Sequence, residues 1–159
     1  METGYQIFLL NPYYRDIGKR LVKSPKLYFN DTAIASYLLG LHDRETLLSS
    51  PNFPNLFETL VVTDFWKRSL HSGHSPSLFY LRTRDGLEVD LVIEYGQKLH
   101  LLEIKSAMTI WPKHADSLLR IGNDLKSAIK TSAIISLASG NFRVKNGIFN
   151  YNWKNVLGV

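Results

Sequence analysis

The pattern of apolar and polar positions changes period several times along this chain, and each change marks an element. Residues 5–10 and 26–29 are short runs rich in aromatic and branched side chains, which predicts two strands. The long stretch between them opens at Asn11-Pro12 and reads as a hairpin loop containing a helical turn. From Thr32 to Leu41, Ile34, Leu38 and Leu41 fall at helical spacing, with Gly40 near the end. Residues 49–54 carry turn residues and predict a loop. A strong helix follows from Asn55 to about His71, because Leu56 and Leu60, and Phe57, Val61 and Phe65, recur at helical intervals. Three strands come next, at residues 78–82, 87–94 and 98–105, joined by an Asp85-Gly86 turn and by Tyr95-Gly96-Gln97. After Pro112 an amphipathic helix carries Leu118, Ile121, Leu125 and Ile129 on one face. Residues 133–137 read as a buried strand, and residues 147–149 as a short one. The expected architecture is α/β: a mixed sheet flanked by helices (residues 31–159), preceded by a short N-terminal β-hairpin (residues 1–30).

The hairpin at Gly96-Gln97 gives this pattern its chemistry. A two-residue loop with glycine first suits a type II′ turn and places Tyr95 across from Lys98. Counting back, Asp90 then lies opposite Glu103, and Glu88 opposite Lys105. With a side-chain period of two, all four are expected on one face, with Val89, Leu91, Ile93, His100, Leu102 and Ile104 on the other. Facing carboxylates repel unless one is protonated, water screens both, or a cation lies between them. Mg²⁺ or Mn²⁺ would take such oxygens, and Lys105 would orient a water or balance charge on a phosphate. The structural alternative is a Glu88–Lys105 cross-strand ion pair with Asp90 and Glu103 simply solvated. Glu58 shares a helix face with Val61, Val62 and Phe65. It reads either as a third carboxylate directed at a metal or as the third helical residue of a capping box begun by Asn55.

Composition adds a partner and removes some chemistries. The chain has 159 residues, 45% of them hydrophobic, enough for one domain with a real core. Its net charge of +5 makes nucleic acid a plausible partner. Arg15, Lys19, Arg20 and Lys23 crowd the N-terminal hairpin loop, either as a wing on phosphates or as a solvated connection. Arg82 and Arg84 flank the Asp85-Gly86 turn with the same two readings. With no cysteine, disulfides and thiolate metal sites are excluded, which fits a reducing cytoplasm. No apolar run is long enough to span a bilayer. His71 and His74 alone make a sparse ligand set, and the three tryptophans read as core or interface. The chain lacks the G-x-S-x-G elbow, and lacks the G-x-x-x-x-G-K-[ST] loop, so no ATP hydrolysis is expected from it.

The segments KLYFND (26–31), LFE (56–58), YLRTRDGLEVD (80–90) and EIKS (103–106) together resemble a domain that follows the ATPase domain in a large family of bacterial and archaeal AAA-type ATPases. The resemblance runs over nearly the whole chain. It implies a restriction-endonuclease-like, PD-(D/E)xK fold, with Glu58 as the helix acid, Asp90 as the metal aspartate, and Glu103 and Lys105 as the E-x-K pair. It also implies Mg²⁺ or Mn²⁺ as cofactor, an ATPase domain as covalent partner, and residues 4–29 as the tail of a winged-helix region. Two functions are expected in competition: metal-dependent cleavage of DNA or RNA, and a non-catalytic nucleic-acid- or protein-binding module that regulates the ATPase.

Overall fold

A computed structural model describes residues 4, 6–14, 24–73, 75 and 77–158. The basic residues Arg15, Lys19, Arg20 and Lys23, and His74, lie outside them. Eight strands form a single mixed sheet: β1 (Ile7–Pro12), β2 (Lys26–Phe29), β3 (Leu78–Arg82), β4 (Glu88–Tyr95), β5 (Lys98–Lys105), β6 (Ile129–Ser136), β7 (Phe142–Lys145) and β8 (Ile148–Asn152), in the order β2-β1-β3-β4-β5-β6-β8-β7. Five α-helices accompany them among the described residues: α1 (Thr32–Leu38), α2 (Arg44–Ser49), α3 (Phe53–His71), α4 (Asp116–Leu125) and α5 (Trp153–Leu157). The N-terminal hairpin is part of the same sheet, since β1 runs parallel to β3 through Asn11↔Phe79 and Pro12↔Tyr80.

The central strands are buried on both faces, as their dense apolar runs require. On one face Phe57, Val61 and Val62 of α3 pack against Tyr80, Leu91, Leu102, Ile104, Ala133 and Ile135. On the other, Leu118 and Ile121 of α4 pack against Val89, Val92, Leu101, Ile134 and Ile148. Each fully buried Val, Leu or Ile here contributes roughly 1.5–3 kcal/mol. These two layers hold β5 between β4 and β6 and so fix the position of Glu103 and Lys105.

The structure departs from the sequence expectation at several boundaries. Helix α3 starts at Phe53, not Asn55, because Pro54 fits a first turn whose N–H groups have no helical acceptor. Ile129 opens β6 instead of closing the preceding helix: a 3-10 turn at Lys126–Ala128 ends α4, and the branched residues that follow favour an extended chain. Between β3 and β4 lie Thr83 to Leu87; the Thr83 N–H donates to the Leu87 carbonyl at 2.9 Å, which leaves Arg84 to Gly86 as the tip. Gly86 (φ 90°) follows a turn closed by its N–H to the Thr83 carbonyl at 3.1 Å. Strand β7 and helices α2 and α5 were not expected. Strand β7 joins β8 through Asn146-Gly147, both at positive φ (43° and 82°), a type I′ hairpin signature present in the sequence.

Candidate functional site

The β4–β5 hairpin folds in the expected register. Tyr95 pairs with Lys98, and the ladder continues to Leu91↔Leu102. Gly96 has φ 61° while Gln97 is not among the residues at positive φ, as a type II′ turn requires. Continuing the count sets Asp90 against Glu103, but the backbone ladder stops one pair short. The Asp90 carboxylate takes its place, its Oδ2 accepting from the backbone N–H of Ile104 at 2.7 Å.

A β-bulge explains why. Phe79 pairs with Val92 and Leu81 with Val89, so the single residue Tyr80 faces two, Asp90 and Leu91. The extra residue interrupts the pleat, and Val89 joins the α4-side core while Leu91 joins the α3-side core. This corrects the expectation that Glu88, Asp90, Glu103 and Lys105 share one face. Beyond the bulge, Glu88 is paired across from Arg82, on the α3 side with Tyr80. Glu103 and Lys105 alternate with Leu102 and Ile104, and Glu103 neighbours Ile134 of the α4-side core. Asp90 stands at the step between the two groups.

On the α3 side the partners are well defined. Lys26 of β2 places its Nζ 2.6 Å from Glu88 Oε1 and 3.2 Å from Glu58 Oε1. The Tyr28 hydroxyl donates to the same Glu58 oxygen at 2.5 Å. Arg82 Nε lies 3.5 Å from Glu88 Oε2. The Glu88–Lys105 pair of the structural alternative does not form, because the bulge turns Glu88 toward Lys26 and Arg82. The capping reading of Glu58 fails too. Helix α3 begins at Phe53, with Asn52 as N-cap, so Glu58 sits in the second turn and its carboxylate meets side chains.

On the other side Lys105 Nζ lies 2.6 Å from Glu103 Oε1. The second oxygen, Glu103 Oε2, is buried and has no hydrogen-bond partner among the described residues. Asp90 and Glu103 are 8% and 7% exposed, which is rare for acids. Burial pushes the Asp90 carboxyl up to about 7, with the Glu103 and Glu58 charges adding to it and the Ile104 N–H opposing. Glu103 is likewise raised by burial, against the pull of Lys105. The Lys105 ammonium is held above its ordinary value by the Glu103, Asp90 and Glu58 charges, which outweigh its desolvation. Two buried acids that resist ionisation, one with a bare oxygen beside a lysine, form a place where a cation would be welcome.

The remaining expected residues sit apart from this centre. Arg84 is exposed in the β3–β4 turn, and His71 is exposed at the end of α3. Of the tryptophans, Trp66 stacks on Phe8 with ring centroids 4.3 Å apart, and Trp153 meets Phe57 edge-on. Trp111 is 58% exposed and belongs to no core. Sequence reasoning missed Lys26 and Tyr28 as members of the site. Their only signal was the KLYF strand itself, whose alternation puts both on the same face.

Comparison with known proteins matches the chain in two stretches. A family described as "Domain of unknown function (DUF4143)" matches residues 53–156, which hold α3 and every acid of the site. A second, "Domain of unknown function (DUF8612)", matches residues 1–45, which hold Lys26 and Tyr28. Two curated relatives are Uncharacterized protein Rv2008c of Mycobacterium tuberculosis and Uncharacterized protein Mb2031c of Mycobacterium bovis. Each is 35% identical over 101 residues, covering 63% of this chain. The chain spans 22% of the length of these relatives. No solved structure matches. No helix among the described residues is long and apolar enough to cross a membrane. With a match over most of its length, including Glu58, Glu88, Asp90 and Glu103, the chain belongs to the DUF4143 family.

Proposed function

We propose that this domain is a divalent-metal-dependent nuclease module on a restriction-endonuclease-like plan, acting on phosphodiesters of nucleic acid. One observation carries the reading: Asp90 and Glu103 are buried together at the end of the β4–β5 ladder, with Glu103 Oε2 lacking a hydrogen-bond partner among the described residues, beside Lys105. Hard oxygen donors of this kind fit Mg²⁺ or Mn²⁺. Asp90 and Glu103 would hold the ion, helped by the Ile104 carbonyl, with Glu58 as a further acid. The bound metal would supply Lewis acidity toward a phosphoryl oxygen and a more acidic water. Lys105 then neutralises the developing negative charge or orients the attacking water. Arg82, at the end of β3, and Arg84, in the β3–β4 turn, would contact the phosphate backbone, and the net charge of +5 favours the encounter. The activity is tested with purified protein, Mn²⁺ and supercoiled plasmid. Nicking is expected, and it should vanish in Glu103→Ala and in Lys105→Ala; nicking that survives both substitutions defeats the assignment.

A second reading has its own support. Among the described residues no three His, Asp or Glu side chains are grouped to hold a metal. In this reading the domain binds nucleic acid or a protein surface without cutting, as a regulatory module of an AAA-type ATPase. Salt-dependent DNA binding without metal-dependent turnover would select it.

A further inference from the structure

We propose that Lys26 is a built-in counter-cation that holds Glu58 away from Asp90 and Glu103, so that divalent-metal binding requires the ammonium to give Glu58 up. This rests on the metal-site reading above. The placement of charges carries it. Lys26 Nζ bridges Glu88 Oε1 at 2.6 Å and Glu58 Oε1 at 3.2 Å. The ammonium also lies 5.2 Å from the centre of the Tyr80 ring, and Tyr80 is the residue opposite the Asp90 bulge. Its three acceptors (two carboxylates and an aromatic face) surround a cation that is only 25% exposed.

The bridged pair leaves the rest of the site short of a cation. Glu103 Oε2 is buried without a hydrogen-bond partner among the described residues. The Asp90 carboxylate spends Oδ2 on the Ile104 N–H. Glu58 is the remaining acid whose charge reaches both Asp90 and Glu103. It is pinned at one oxygen by Lys26 and Tyr28 together. With Lys26 in place the Glu58 charge is neutralised, and the Asp90–Glu103 pair lacks a third ligand for the same reason. A divalent ion competes with one ammonium for one carboxylate, and ligand charge count sets affinity for such ions.

Lys26 also comes from a different part of the chain than the acids. It lies on β2, within the 1–45 match, whereas Glu58, Glu88, Asp90 and Glu103 all lie within 53–156. The hairpin thus supplies both partners that hold Glu58 (Lys26 and Tyr28), while the acids come from the rest of the chain.

The test is a calorimetric Mn²⁺ titration of the wild-type chain, Lys26→Met, Glu58→Gln and the double variant, each checked for native circular dichroism. Lys26→Met is expected to tighten Mn²⁺ binding by at least about tenfold. The gain should disappear in the Glu58→Gln background, because a lysine acting through Glu58 has nothing left to hold. A gain that persists there shows mere through-space charge and overturns the proposal, as does weaker binding in Lys26→Met. Equal affinity in wild type and Lys26→Met, with binding abolished by Asp90→Asn, leaves the metal site standing and removes the role of Lys26. No binding in any variant removes the metal site, and the proposal with it. A measurement on the wild-type chain guards against misfolding of the variant. The Lys26 side-chain ammonium resonance should move on Mg²⁺ titration, and a resonance that stays fixed while Mg²⁺ binds refutes the exchange.

Discussion

Replacing Asp90 by asparagine should stabilise the metal-free protein at high pH and leave it unchanged at low pH. The Asp90 carboxyl has an ordinary value near 3.8, and in the fold it rises to about 7, chiefly by burial. A carboxyl whose folded value is raised contributes stability that is present below the unfolded value and lost as pH climbs through the folded one. The loss therefore runs from about pH 4 to about pH 7. A move from 3.8 to about 7 sets a ceiling of about 4 kcal/mol. The Glu103 charge contributes to the Asp90 shift and the two titrations are linked, so half of that, about 2 kcal/mol, is the expected size. Asparagine keeps a side-chain oxygen for the Ile104 N–H and removes the charge. Urea unfolding of both proteins, in chelator, at about pH 4 and about pH 8 reads the effect. The variant should match wild type at the lower pH and exceed it by about 2 kcal/mol at the higher. A variant that is less stable at high pH, or a difference that does not change with pH, refutes the electrostatic account of the site.

Three structural predictions accompany it. Asn150 is fully buried, accepting from Ser136 Oγ at 2.7 Å and donating to the Gly140 carbonyl at 3.0 Å; Asn150→Ala should cost about 2–3 kcal/mol in urea unfolding by orphaning both partners, and a cost below about 1 kcal/mol would show that water replaces the amide. Thr63 Oγ1 ties α3 to β2 through the Phe29 carbonyl at 3.0 Å, so Thr63→Val should lower stability by about 1–2 kcal/mol, an expectation that an unchanged denaturation midpoint would contradict. Gly96→Ala meets no steric neighbour but must hold φ 61°. A loss of about 1–2 kcal/mol is expected from backbone strain alone, and a neutral result would mean the turn relaxes to another type.

How much of this was legible beforehand follows the physics of each element. The β4–β5 register could be counted from Gly96-Gln97 because a two-residue turn leaves no freedom in pairing. The helix carrying Glu58, and strand β5 with Glu103 and Lys105, followed from periodicity. The bulge did not. It arises where Tyr80 faces two residues of β4, a three-dimensional mismatch between two hairpins whose separate registers each look regular. One residue of slip moved Glu88 to the opposite face from Lys105 and gave it to Lys26. That pair, Lys26 with Glu88, and the Glu58–Tyr28 bond beside it, which joins positions thirty apart, cross a sheet edge that local spacing cannot reveal.

The bond from the Ile104 N–H to Asp90 makes the backbone itself a reporter. Elsewhere along β4 and β5, amides are protected by carbonyls, whose accepting strength does not depend on pH or metal. This one is protected by a carboxylate whose charge changes with both. The Ile104 amide proton should therefore carry the site's state in its chemical shift and exchange rate, moving when Asp90 gains a proton or a cation while its neighbours in the ladder stay still. The gap that breaks the sheet's hydrogen bonding lets the interior be read from a single amide.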